Sequence, residues 1–140
     1  MAEHRTYRTL LAWQQAMELV LIAYPLAARL PAIEKYELAS QIRRAVTAIP
    51  ANIAEGRERR GKGYLHHVRI AIGSLAELET HIEVAILLQY LESKEIEPFL
   101  QKSASVRQLL YGLRRSLYVR LLQKGVTATG CLLAFLALLQ

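Results

Sequence analysis

Residues 41–56 read QIRRAVTAIPANIAEG, and their spacing decides the fold. Ile42, Ala45, Ile49, Asn52 and Gly56 recur at intervals of three and four, with Ile53 beside them, which places them on one side of an α-helix. Leu38 extends the stripe backwards. Pro50 falls inside it and is expected to interrupt the helix, because its ring nitrogen carries no hydrogen.

The same period continues outward in both directions. Upstream, Leu10, Trp13, Met17, Val20 and Tyr24 share a face, and Pro25 is expected to kink or end that helix. Downstream, Leu65, Val68, Ile72, Leu75, Ile82 and Ile86 form a long third stripe in which Glu79 takes the place of an apolar residue. Phe99, Val106, Leu110, Leu113 and Leu117 form a fourth over about residues 96–122, with Pro98 suited to its first turn. Breaks at 30–32, 59–63 and 90–94 are short, so successive helices should be antiparallel neighbours. The expected fold is all-α: an up-and-down antiparallel four-helix bundle over residues 1–125, followed by a hydrophobic C-terminal tail over 126–140.

A chain of 140 residues with 53% hydrophobic and 21% charged residues makes one packed domain and excludes a disordered or fibrous class. The single cysteine, Cys131, excludes an internal disulfide framework and any cysteine-built cluster, which suits the cytoplasm. No signal peptide is visible at the amino terminus. The longest apolar run, Cys131 to Leu139, is nine residues against the roughly 20 that span a bilayer. It is expected to be an oligomer contact or a late piece of core, with membrane-surface attachment the alternative. Leu21, Leu87, Leu88, Leu109 and Leu121 lie beyond one stripe, and the mean hydropathy is +0.16. That is more apolar surface than a small bundle hides, so copies of the chain should associate.

The net charge is +6 and all 12 acidic residues are glutamates. Within 43–69, Arg43, Arg44, Arg57, Arg59, Arg60, Lys62 and Arg69 face only Glu55 and Glu58, whereas 77–97 is acidic and 102–124 again basic. Arg57, Arg59, Arg60 and Lys62, with Arg43, are the candidate phosphate contacts, since arginine offers bidentate recognition and neutralised phosphates dominate nucleic-acid affinity. A solvated loop is the alternative reading of the same run. No RNA-reading signature with stacking aromatics appears, which argues against sequence-specific recognition. Arg107, Arg114, Arg115 and Arg120 are expected to pair with glutamates of the third helix such as Glu77 and Glu83, within the bundle or across a subunit boundary.

Asn52 and Glu79 sit on core-facing stripes, where an unpaired polar group costs roughly 1–3 kcal/mol. Glu79 should therefore accept from Arg44 or from a donor on a neighbouring helix, and Asn52 should bond backbone groups freed by Pro50. Arg44, Asn52, Glu55 and Glu79 make the expected structural polar network; a ligand pocket is its alternative. His66 and His67 are adjacent and diverge on a helix, and with His4 and His81 they show no metal-ligand spacing. No catalytic residue, metal or cofactor is expected.

The runs QIRRA at 41–45, IPANIAEG at 49–56 and GSLAELET at 73–80 closely resemble the four-helix-bundle family of 23S ribosomal RNA intervening-sequence proteins. LAWQQAM at 11–17 is similar to that family's opening motif. The resemblance implies a cytoplasmic prokaryotic protein that assembles as a ring-like homopentamer. It also implies nucleic-acid binding, RNA favoured, inferred for the family from charge and from reading frames that lie in insertions of ribosomal RNA genes. A similar bundle is the accessory protein of diversity-generating retroelements, where it partners a reverse transcriptase and RNA. An interaction scaffold for a partner enzyme is therefore the second expectation.

Overall fold

The computed structural model describes residues 6–138, with side chains through Gly125. A short 3-10 turn, Tyr7–Thr9, precedes α1 (Leu11–Ala28); a second, Ala32–Glu34, leads into α2 (Leu38–Arg59). Helix α3 (Gly61–Leu87) follows almost at once, and a third 3-10 turn, Ser93–Ile96, opens α4 (Glu97–Leu138). Among the described residues there is no strand. Helix α1 packs on α2, α2 on α3, α3 on α4, and α4 back on α1. Cross-helix pairs fix the directions. Asn52 meets His67 and Gly56 meets Tyr64. Glu79 meets Ser103 and Arg107, whereas Tyr64 lies beside Leu117 and Arg120. Rising numbers on one helix meet falling numbers on the next, so the neighbours are antiparallel.

The core is a continuous aliphatic column. Leu19, Ile42, Ile49, Ile53, Leu75, Leu78, Ile82, Phe99 and Leu110 are fully buried, each worth roughly 1.5–3 kcal/mol relative to exposure. Helix α1 departs from the expected face. Its buried residues are Ala12, Ala16, Leu19, Ala23, Leu26 and Ala27, whereas Met17 and Tyr24 are exposed and Trp13 and Val20 half-buried. The alanines let α1 lie close against α2 and α4, and the bulky row one position round flanks the seam instead of filling it.

The prolines also behave differently from expectation. Pro25 sits in the last turn of α1 without ending it, since the helix runs on to Ala28. Pro50 lies within α2, buried, and the helix passes through it unbroken. It removes only the donor that would reach the Val46 carbonyl, a local loss that the packing of Ile49 and Ile53 outweighs. Helix α4 is longer than the periodic stripe predicts. Nothing between Leu122 and Leu138 is a proline, and its leucines and alanines favour helix, so the backbone stays helical to Leu138. The expected roles of the 126–140 tail and of Cys131 fall on side chains outside the described ones.

The two ends of the bundle are built differently. At one end the Glu34 carboxylate accepts from the Leu38 amide at 3.1 Å and from the Tyr90 hydroxyl at 3.2 Å, and Arg29 pairs with Glu95. At the other end α2 turns into α3 through one residue. Arg60 adopts φ 58° and ψ 175°, and Gly61 follows at φ 51°. So sharp a reversal forces the helices together at Gly56. A Cβ there would lie 2.9 Å from His67 Cβ, 2.9 Å from Tyr64 Cδ2 and 3.3 Å from the Tyr64 carbonyl oxygen. Gly73, by contrast, has open space around it.

Gly56→Ala is therefore expected to destabilise the fold by about 1–3 kcal/mol. Gly73→Ala should raise stability by up to about 1 kcal/mol through helix propensity alone. Urea unfolding of the two variants beside the parent checks both signs.

Candidate nucleic-acid interface

The single-residue turn determines which basic side chains meet. Arg57 occupies the last turn of α2, where the helix dipole favours a cation, and Arg60 forms the turn itself. The antiparallel register of α4 brings Arg120 and Lys124 to the same end. With Thr6, Glu58, Tyr64 and Leu117, these side chains line an open cleft of about 590 Å³. Among the described residues Glu58 is the one carboxylate on its wall, beside four cationic side chains. Arg57, Arg60 and Arg120 make no ion pair among the described residues. The first turn of α3 opens at the same place with no side chain capping it, so its amide end adds positive potential.

Tyr64 supplies the most informative group of the cleft. The residue is 4% exposed, and its buried hydroxyl has no hydrogen-bond partner. Burial pushes the phenol above its ordinary value, with the Arg57 and Arg120 charges pulling the other way. It therefore stays protonated at neutral pH and can donate. Arg60 is unfavourable in its own way, since a side chain at positive φ with extended ψ costs on the order of 1–3 kcal/mol where glycine would be relaxed. Two locally unfavourable choices, a strained arginine and an unsatisfied hydroxyl, stand in one basic cleft.

The other expected phosphate contacts are elsewhere. Arg59 turns back one helical turn, its Nε and Nη2 donating to the Glu55 carboxylate at 2.9 and 2.7 Å. That bond, chiefly, holds the Glu55 carboxyl below its usual range, so the pair persists at neutral pH. Arg43 lies at the opposite end of the bundle, donating to the Lys35 carbonyl at 2.7 Å. Lys62 is exposed in the first turn of α3 and does not line the cleft.

The residues expected to form one polar network divide into two clusters. Asn52 donates to the Ala48 carbonyl at 2.8 Å, and its side-chain oxygen faces His67 Nδ1 at 2.9 Å. The carbonyl that Pro50 leaves without a donor is that of Val46, so Asn52 serves α2–α3 packing rather than the proline. His67 Nε2 lies 3.6 Å from Glu55, which joins this cluster. Glu79 belongs to the second cluster, accepting from Ser103 and pairing with Arg107 on α4. Arg44 is exposed and joins neither. Arg114 does not reach Glu77 or Glu83 but lies over the Tyr111 ring, 4.7 Å from its centroid. Among the described residues no three histidine, cysteine or acidic side chains gather as a metal site, and no helix is long and apolar enough to cross a membrane.

Sequence reasoning missed Tyr64, Arg120 and Lys124 as cleft residues. Arg120 and Lys124 are four apart on a helix segment free of acids, a signal for a shared face, but their approach to Arg57 depends on register.

Fold and charge together define a small basic helical-bundle protein. The family model for the 23S rRNA-intervening sequence protein matches residues 8–112, and the chain belongs to that family. Arg57, Arg60 and Tyr64 lie inside the matched span, Arg120 and Lys124 beyond it. Among solved structures, the fold is similar to that of a protein of unknown function from the S23 ribosomal protein family of Bacteroides thetaiotaomicron. The two are 23% identical over 74% of this chain and 95% of that one, with a TM-score of 0.68. No protein of curated function matches this chain.

Replacing Tyr64 by Phe removes an orphan donor without changing shape, and is expected to stabilise the free protein by about 1 kcal/mol. Arg60→Gly relieves the turn and should stabilise by about 1–3 kcal/mol. Thermal unfolding of both variants without added ligand reads these shifts, and a fall in midpoint for both would contradict the assignment of strain to the cleft.

Proposed function

We propose that this protein binds nucleic acid, RNA favoured, by holding backbone phosphates in the cleft between the α2–α3 turn and α4. The observation that carries the reading is the gathering of Arg57, Arg60, Arg120 and Lys124 around one cleft whose wall includes Tyr64. Guanidinium and ammonium groups only donate at neutral pH, and a phosphate oxygen is an acceptor that such a set fits. The donors read charge and geometry, not base edges, so the binding is without sequence preference. The proposed role is non-enzymatic.

Association between copies is part of the same proposal. Leu21, Ile33, Tyr36 and Leu87 are each more than 70% exposed, and such side chains are covered most readily by a second subunit. The pentameric ring that the family resemblance implies would repeat the cleft once per subunit, adding weak phosphate contacts into a strong one. A cytoplasmic setting fits an RNA ligand.

Nucleic-acid affinity should fall steeply with salt, each phosphate contact contributing about 0.7–0.9 to the log–log slope. Changing Arg57, Arg60 and Arg120 together to Gln should reduce that slope by about 2 per subunit while leaving the sedimentation mass unchanged. An unchanged slope would remove the cleft as the binding site.

A further inference from the structure

A second basic surface lies roughly a third of a turn around α4 from the residues that line the cleft. Tyr111, Arg114, Arg115 and Tyr118 fall at i, i+3, i+4 and i+7, one helical face, and with Arg69 of α3 they enclose a shallow groove of about 330 Å³. The two tyrosine residues are 40% and 51% exposed, and the Arg114 guanidinium lies over the Tyr111 ring. Arg69, Arg114 and Arg115 make no ion pair among the described residues. The sequence has no acidic residue between Glu58 and Glu77 or after Glu97, so neither helix brings a carboxylate to this face from its own neighbouring turns.

We infer that this groove is a stacking platform for the unpaired bases of a single-stranded nucleic acid. The inference rests on the nucleic-acid reading above and assigns a ligand class that the cleft alone does not. Exposed flat rings interleaved with guanidinium groups provide two things at once, a π-face for a base and a cation for the adjoining phosphate. Duplex bases are already stacked on one another and offer no free π-face along the helix, so they gain little from the rings, whereas a single strand gains both contacts. Seven residues of helix separate Tyr111 from Tyr118 by about 10 Å, close to three stacked steps of about 3.4 Å. The rings thus bracket a run of a few nucleotides. Stacking of this kind tolerates any base, in keeping with the lack of a sequence-reading motif.

The test measures anisotropy of labelled oligoadenylate of about 12 nucleotides, and of an RNA duplex of similar length, with the full chain at about 50 mM salt. Tyr111→Leu with Tyr118→Leu should weaken single-strand binding about tenfold or more and leave duplex binding within about twofold, whereas the double Phe variant retains both. Three results would overturn the platform: undiminished single-strand affinity in the Leu variant, an equal loss for the duplex, or an altered sedimentation mass that makes this face a subunit contact. Failure of the parent protein to bind either oligonucleotide would sink the nucleic-acid reading itself. Binding that the Leu substitutions do not alter would sink the platform alone.

Discussion

The close approach of α2 and α3 at Gly56 governs the rest of the molecule. Two helices of 22 and 27 residues reverse direction through one residue, Arg60, and so must touch at their common end. Only a residue without Cβ fits between the backbone of α2 and the Tyr64 and His67 side chains. A longer connection would have let Arg57 and Arg60 project into solvent as a flexible loop. The tight turn instead fixes both arginines on rigid backbone, next to Tyr64 and against the far half of α4. Asn52, His67 and Glu55 reinforce the same junction from one turn away, and Glu55 keeps Arg59 directed back along α2.

Elsewhere local preference and global fold largely agree, with Gln89 at φ 61° after α3 and Pro50 inside α2 as exceptions. The stripes have helical period, the far end is capped by Glu34, and the polar residues of the α3–α4 seam satisfy each other through Glu79, Ser103 and Arg107. At the basic end that agreement fails twice in one place. Arg60 occupies a backbone conformation that suits glycine, and Tyr64 buries a donor with nothing to receive it. Natural chains retain such costs chiefly at functional sites, and the surrounding charge is what the proposed phosphate contact draws on.

Much of the architecture was legible because apolar residues at three and four spacing can arise from little else. The face of α1 was not, because bulky Trp13, Met17 and Tyr24 draw attention away from the alanines that actually permit close packing. Arg57 and Arg60 were legible as candidate phosphate contacts from local charge. Arg43 was not separable from them by composition, although 14 positions along a continuous helix carry it about 21 Å away, to the other end. Tyr64, Arg120 and Lys124 needed three-dimensional information: only the antiparallel register of α4 on α3 tells that residues some 60 positions apart in sequence share a wall. The Tyr111 and Tyr118 surface was hidden for a related reason, since the approach of Arg69 on α3 to these two tyrosines depends on the same register.

Amide hydrogen exchange of the full chain, with and without a short single-stranded RNA, tests the central claim most directly. Binding in the basic cleft predicts slowed exchange confined to residues 57–64 and 117–124, with the Glu34–Tyr90 end unaffected. Slowed exchange at that opposite end, with the α2–α3 turn unchanged, would contradict it.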